Sequence, residues 1–214
     1  IGSVQALADQ TETARVWSAL FPVPKKNTDK VRGCIDLTTI NPYLQYEHFK
    51  MEGLHTVQAQ LRRRDYMWKV GMSDFYMHLL IAEADRLYFR FQFEGIKYEC
   101  TAMPFGLAPA PRIATKFLQP VIRYLRRRQV RCMAYIDDVC GMARSRAKAV
   151  RDAQLAINKL HQLGFGIHPD KIQVDPTQSM EILGTQVNSV QMKFRVPRVR
   201  LKGLHRKITD TLRL

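Results

Sequence analysis

The sequence predicts an α+β fold, and three observations carry it. Short alternating apolar runs return on themselves as hairpins near residues 20–37, 87–101, 132–142 and 182–196. Apolar stripes at helical spacing fill stretches near 111–128, 145–163 and 201–214. The chain has 214 residues, of which 46% are hydrophobic. That suffices for one sizeable core, with room for two lobes.

Residues 1–18 are polar and read as a helix or a loosely ordered lead-in. Leu20-Phe21-Pro22-Val23-Pro24 is an edge strand, because two prolines bar it from a sheet centre. Lys25-Lys26-Asn27-Thr28-Asp29-Lys30 turns, and Val31–Leu37 returns. This hairpin is either a solvated loop or a flap that lays Lys25, Lys26 and Arg32 on phosphates. A helix is expected near 53–61, with Arg62-Arg63-Arg64 at its end. Tyr66–Asp74 alternates as a strand with Trp68, Val70 and Met72 on one face and Lys69, Gly71 and Ser73 on the other. Leu87–Phe93 and Ile96–Thr101 pair across Glu94-Gly95. The loop Met103–Pro111 opens a helix striped by Ile113, Phe117, Leu118, Val121, Ile122 and Leu125. Arg123, Arg126, Arg127, Arg128 and Arg131 follow, as a solvated helix end or as phosphate contacts. Ser145 caps a helix running to about Leu163, and Gly164 stops it. Ile182–Val187 and Met192–Val196 read as a closing hairpin, and a basic amphipathic helix starts near Leu201.

Net charge is +15 and the sequence pI about 10.0, which suits a polyanionic partner. That partner is nucleic acid or an anionic membrane surface; no apolar run approaches the roughly 18 residues that span a bilayer, and outside the C-terminal tail no amphipathic helix joins a wide apolar face to the basic charge, so no membrane partner is expected. No signal peptide is visible, and the absence of an initiator Met suggests a processed piece of a longer chain. Cys34, Cys100, Cys132 and Cys140 form no C-x-x-C pair, which argues against zinc and for reduced thiols in an intracellular protein.

The chemistry concentrates in Cys132–Met142, where Asp137 and Asp138 stand at a turn between apolar runs with no cation in the stretch. Adjacent carboxylates repel, and burial compounds the cost unless a cation intervenes. A hard cation such as Mg²⁺ removes that cost by taking carboxylate, water and phosphate oxygens. The plain alternative is a solvated Asp-Asp turn.

Taken in order, the motifs Val23-Pro24-Lys25-Lys26, Arg32 with Ile35-Asp36-Leu37 and Asn41, Asp74–His78, Met103–Pro111, Tyr135-Ile136-Asp137-Asp138, His168–Lys171 and Ile182-Leu183-Gly184 resemble the reverse transcriptase domain of gypsy- and DIRS-type retrotransposons. The resemblance covers roughly residues 18–200. It implies the fingers and palm of a right-hand polymerase, an antiparallel palm sheet with packed helices and a thumb largely absent. Residues 1–17 would lead in, 18–65 and 78–101 form fingers, 66–77 and 102–180 the palm, 181–196 a primer-grip hairpin, and 197–214 the start of a thumb or connection. It implies template-directed DNA synthesis on an RNA or DNA template–primer from deoxynucleoside triphosphates, with two Mg²⁺ ions (Mn²⁺ as a substitute). It also implies a parent polyprotein with an RNase H that this stretch does not contain.

By the same resemblance Asp137 and Asp138 ligate metal, with Asp137 doing most of it. Lys25 and Arg32 meet the triphosphate, Asp74 and Phe75 help cradle it, and Tyr76 excludes a 2′-hydroxyl. Phe105 and Gly106 pack near the nucleotide and template base, Lys171 protonates or steadies the leaving pyrophosphate, and Leu183 and Gly184 grip the primer. The family's third carboxylate falls five residues before the aromatic gate, and here that position is Gly71. Asp74 occupies a separate position and, three residues on, would face the other way. The resemblance therefore implies a polymerase fold with impaired activity, or a retroelement-derived domain that only binds nucleic acid. Aspartate and glycine codons differ by one base, which fits a single lesion.

Overall fold

The computed structural model describes residues 3–13, 15–24, 29, 31–45, 47–169 and 172–212. Lys25, Lys26 and Lys171 lie outside the described residues. In chain order the strands are β1 (Val4–Ala6), β2 (Trp17–Ser18), β3 (Leu20–Pro24), β4 (Val31–Ile35), β5 (Tyr66–Gly71), β6 (Arg90–Phe93) and β7 (Ile96–Cys100). They continue as β8 (Arg131–Tyr135), β9 (Asp138–Ala143), β10 (Gln173–Thr177), β11 (Ser179–Ile182), β12 (Thr185–Asn188) and β13 (Lys193–Arg195). The helices are α1 (Leu54–Gln60), α2 (Ala110–Arg127), α3 (Arg146–Gln162) and α4 (Arg198–Leu212). The chain separates into two units, one of Ile1–Lys50 with Asp74–Phe117 and one of Met51–Ser73 with Leu118–Leu214.

The first unit holds the sheet β1-β7-β6-β2 and the separate ribbon β3-β4. The opening stretch supplies strands rather than a helix, since β1 pairs antiparallel with β7 and β2 runs parallel to β6. Glu94 and Gly95 both take positive φ, which gives the β6–β7 turn the twist that a tight hairpin needs. Phe91 and Tyr98 stack across that hairpin at 5.5 Å. The strand expected from Leu87 starts only at Arg90, because Glu83–Tyr88 closes into a 3₁₀ helix.

The second unit is built on the antiparallel sheet β10-β5-β9-β8. Alternation sorts its residues. Met67, Met133, Cys140 and Met142 lie in a core with Val57 and Leu61 around α1 and with Met180, Ile182 and Val187 of the β11–β13 sheet. On the opposite face Trp68 and Val70 are fully buried, and α3 packs on β5, β9 and β10 through Ala149, Ala153, Ala156 and Leu160. The alanines keep α3 close, and Gly141 leaves room for the Trp68 ring, which a methyl there would overlap. Ser145 caps α3 by accepting from the Lys148 N–H, and Gly164 ends it with φ 83°. Arg131, expected at a solvated end or on phosphate, instead holds the fully buried Asp65 through two bonds of 2.7 and 2.8 Å. Ile182–Val187 is not one strand: Leu183 and Gly184 take positive φ and turn β11 into β12.

Candidate functional site

The β8–β9 hairpin places Asp137 and Asp138. Tyr135 pairs with Asp138, so the tight turn is Ile136-Asp137, and Asp138 begins β9. Ile136 has φ 53°, a conformation a β-branched residue adopts only under constraint. The constraint is visible on the neighbouring strand, where the Met72 N–H donates to the Asp137 carbonyl at 2.7 Å. The His168 N–H donates to the Gly71 carbonyl at 2.9 Å, and the Ser73 N–H to that of Gly166 at 2.8 Å. The end of β5 is thus clamped on both sides.

The registers set Gly71, Asp138 and Tyr135 in one row across the sheet, with Lys69, Cys140 and Met133 two residues along, in the next row on the same face. Gly71 contributes no side chain to its row. Lys69 reaches from the next row on the same face, and its Nζ stands 2.8 Å from Asp138 Oδ2. Both side chains are largely shielded, at 22% and 17% exposed. The other oxygen, Asp138 Oδ1, is buried with no hydrogen-bond partner. Burial disfavours the Lys69 ammonium, but its hydrogen bond to Asp138 and the nearby negative charge outweigh that and raise its pKa above the ordinary lysine value. The stretch around the acids carries no cation of its own; the strand opposite delivers one.

Asp137 and Asp138 have the oxygen chemistry of a Mg²⁺ site. Among the described residues, however, no group of three His, Cys, Asp or Glu side chains stands together to hold a metal ion. Gly71 offers no ligand, and one Asp138 oxygen is engaged by Lys69. The residues present do not fit a two-ion centre with a shared third carboxylate. A cavity of about 730 Å³ opens beside them, lined among others by Lys69, Tyr135, Asp138, Leu183, Gly184 and Arg200. Arg200 also donates to the Gly184 carbonyl at 3.2 Å. Leu183 and Gly184 therefore share a cavity with Asp138.

The first unit gathers a different set. The Arg32 guanidinium lies over the Phe105 ring at 4.2 Å, and Phe105 meets Tyr76 edge-on at 5.4 Å. Arg32, Asp74 and Phe105 line one cavity of about 380 Å³. Asp74, with φ 46°, starts the 3₁₀ turn Phe75–His78. Phe75 is buried and packs against Tyr76 and Phe117. Asn41 fixes the Met103–Pro111 loop by donating to the Gly106 carbonyl at 3.0 Å and accepting from the Ala108 N–H at 2.9 Å. Gly106 itself sits at φ 90°.

Sequence reasoning missed Lys69 as the partner of Asp138, although the alternation of Tyr66–Ser73 already put Lys69 on the face of Gly71. It also missed Glu52, which accepts from the Ala134 N–H at 2.9 Å and pairs with Arg126.

An Asp-Asp hairpin on an antiparallel sheet with α3 packed on it is the frame on which the family comparison falls. The profile of the family "Reverse transcriptase (RNA-dependent DNA polymerase)" matches residues 16–187, and the chain belongs to that family. Curated relatives include the retrovirus-related Pol polyprotein from transposon gypsy of Drosophila melanogaster, 26% identical over 174 residues, or 78% of this chain and 16% of that protein. The Gag-Pol polyprotein of Rous sarcoma virus subgroup B is 26% identical over 182 residues, or 81% of this chain and 11% of that protein. The chain thus spans under a fifth of these relatives. Among solved structures, the foamy viral protease-reverse transcriptase in complex with dsDNA aligns with TM-score 0.77 at 16% identity, over 92% of this chain and 38% of that one. The same protein in complex with RNA/DNA hybrid aligns with TM-score 0.71 at 17% identity, over 88% and 24%. These likenesses bear out the α+β reverse transcriptase fold. Among the described residues no helix is long and apolar enough to cross a membrane.

Proposed function

We propose that this chain is the fingers-and-palm stretch of a gypsy/DIRS-like retrotransposon reverse transcriptase whose nucleotidyl transfer is impaired at Gly71. Residues 18–65 and 78–101 would serve as fingers, 66–77 and 102–180 as palm, 181–196 as primer grip and 197–214 as the start of the thumb. The observation that carries the impairment is the row at the end of the sheet. Gly71 stands directly opposite Asp138, where the third carboxylate belongs, and Lys69 engages Asp138. Loss of a central transition-state contact costs on the order of 10²–10³ in rate, and a shared metal ligand at least as much.

Arg32, Asp74, Tyr76 and Phe105 are brought together in a form suited to a deoxynucleoside triphosphate. A guanidinium backed by an aromatic ring is a prepared phosphate contact. RNA/DNA template–primer is the partner that the net charge of +15 and the relatives' complexes with DNA and RNA/DNA hybrid support. Two Mg²⁺ ions would need an acid at position 71 beside Asp137 and Asp138. The setting would be intracellular, within a longer polyprotein that carries RNase H.

The Lys69–Asp138 pair favours one second reading, a retroelement-derived domain that binds nucleic acid without chemistry. Primer extension on an RNA template, with Mg²⁺ and then Mn²⁺, separates the readings. The chain should extend poorly and Gly71→Asp at least about a hundredfold better. Equal extension by both overturns the reading of Gly71. Template–primer binding without extension by either supports the binding-only reading.

A further inference from the structure

A second basic surface lies on the far side of the palm sheet from Asp138. Met67, Lys69 and Gly71 face α1 and the β11–β13 sheet, whereas α3 covers the face that carries Trp68 and Val70. The C-terminal end of α2 meets α3 through side chains, with Lys159 of α3 over the Tyr124 ring of α2 and Lys148 donating to the Gln129 carbonyl just beyond α2 at 3.3 Å. The Arg128 guanidinium stands 3.7 Å from the centre of that ring and the Lys159 ammonium 4.6 Å. Two cations held on one ring are fixed in place before any ligand arrives, which lowers the entropy cost of binding an anion.

On the same two helices Arg123, Arg127 and Arg151 are exposed, and among the described residues no acid pairs with any of them. From Ala110 to Leu163 the acids are Asp137, Asp138 and Asp152. Asp152 is bound to Lys148 at 2.7 and 2.8 Å. Nothing acidic on α2 or α3 is therefore left to neutralise the surface. Arg123 and Arg127 are one turn apart, about 6 Å along the axis, close to the step between successive phosphates of an extended strand. That spacing suits a flexible single strand, whose phosphates can settle on such cations one by one.

We infer that the α2–α3 seam, through Arg123, Arg127, Arg128, Arg151 and Lys159, binds the phosphodiester backbone of single-stranded RNA at a site separate from the cavity beside Asp138. The inference rests on charge and geometry at this seam alone, and binding reads it whether or not the chain extends primers.

The test is fluorescence anisotropy of a labelled oligouridylate, titrated with the whole chain between 50 and 200 mM salt in the presence of saturating unlabelled template–primer. RNA should stay bound under that competition. The combined change Arg127→Gln, Arg128→Gln and Lys159→Gln should flatten the salt slope by about 2, since each single-strand phosphate contact contributes about 0.7. It should weaken binding about a hundredfold at 0.1 M salt. Arg127→Glu with Arg151→Glu, two exposed positions with no partner to lose, should abolish the competition-resistant binding and leave the melting temperature unchanged. Complete displacement of the RNA by template–primer overturns the inference. So does an unchanged salt slope in either variant, or binding of phosphatidylserine vesicles in place of RNA.

Discussion

Lys69→Met isolates the cation at the candidate centre. The substitution keeps the length of the stem and removes the ammonium 2.8 Å from Asp138 Oδ2. Asp138 Oδ1 already lacks a partner, so both carboxylate oxygens would be left without one. Breaking a fully buried pair costs about 3–5 kcal/mol, and because about a fifth of each side chain remains in water the expected loss here is about 2–3 kcal/mol. The measurement is the urea midpoint with and without MnCl₂. The unchanged chain should hardly respond, because an ammonium already balances Asp138. The variant should recover with Mn²⁺, by about 2.7 kcal/mol once the ion reaches a hundred times its Kd. The sign with pH follows from the raised Lys69 pKa. The pair's contribution is fully present below the unfolded lysine value of 10.5 and is lost as pH rises through the higher folded value. A Lys69→Met chain with the original midpoint, or an unchanged chain that gains as much from Mn²⁺ as the variant, would refute this reasoning.

Arg131→Gln removes the fork that holds Asp65, whose side chain is wholly buried. The Arg62 N–H, 2.7 Å from Asp65 Oδ2, is left as partial compensation, so the urea midpoint should fall by the equivalent of about 3 kcal/mol. Burial pushes the thiols of Cys100, Cys132 and Cys140 up to about 12, so in the native protein at pH 8 iodoacetamide should label Cys34 alone and reach the other three only in denaturant.

Much of the fold was legible because it rests on local signals. The Ser145 cap and Gly164 stop frame α3 where the spacing placed it, and the Glu94-Gly95 turn joins the expected hairpin. The failures are positions where tertiary context overrides local pattern. The apolar run at Leu87 looked like strand, yet the chain closes a 3₁₀ turn there. Val4–Ala6 has too little pattern to announce a strand and becomes one only because the edge of β7 is open to it. At the candidate site, adjacency in sequence named Asp137 and Asp138. The partner of Asp138 depends on the register of β5 against β9, which one sequence does not fix. Arg131 misled for the same reason, because it sits in a basic run and its acid lies 66 residues away.

Position 71 is held entirely by its backbone. Its carbonyl is bonded to His168, the next amide to Asp137, and its place in the ladder needs no side chain. The bonds that hold this end of the strand in register are therefore independent of the residue type at position 71. Cellular quality control senses exposed apolar surface and loose structure, and the backbone bonds at this glycine leave it neither to act on. If the proposed impairment holds, inheritance of the fold and inheritance of the chemistry are separable in this domain, and an assay that counts added nucleotides tells the two apart.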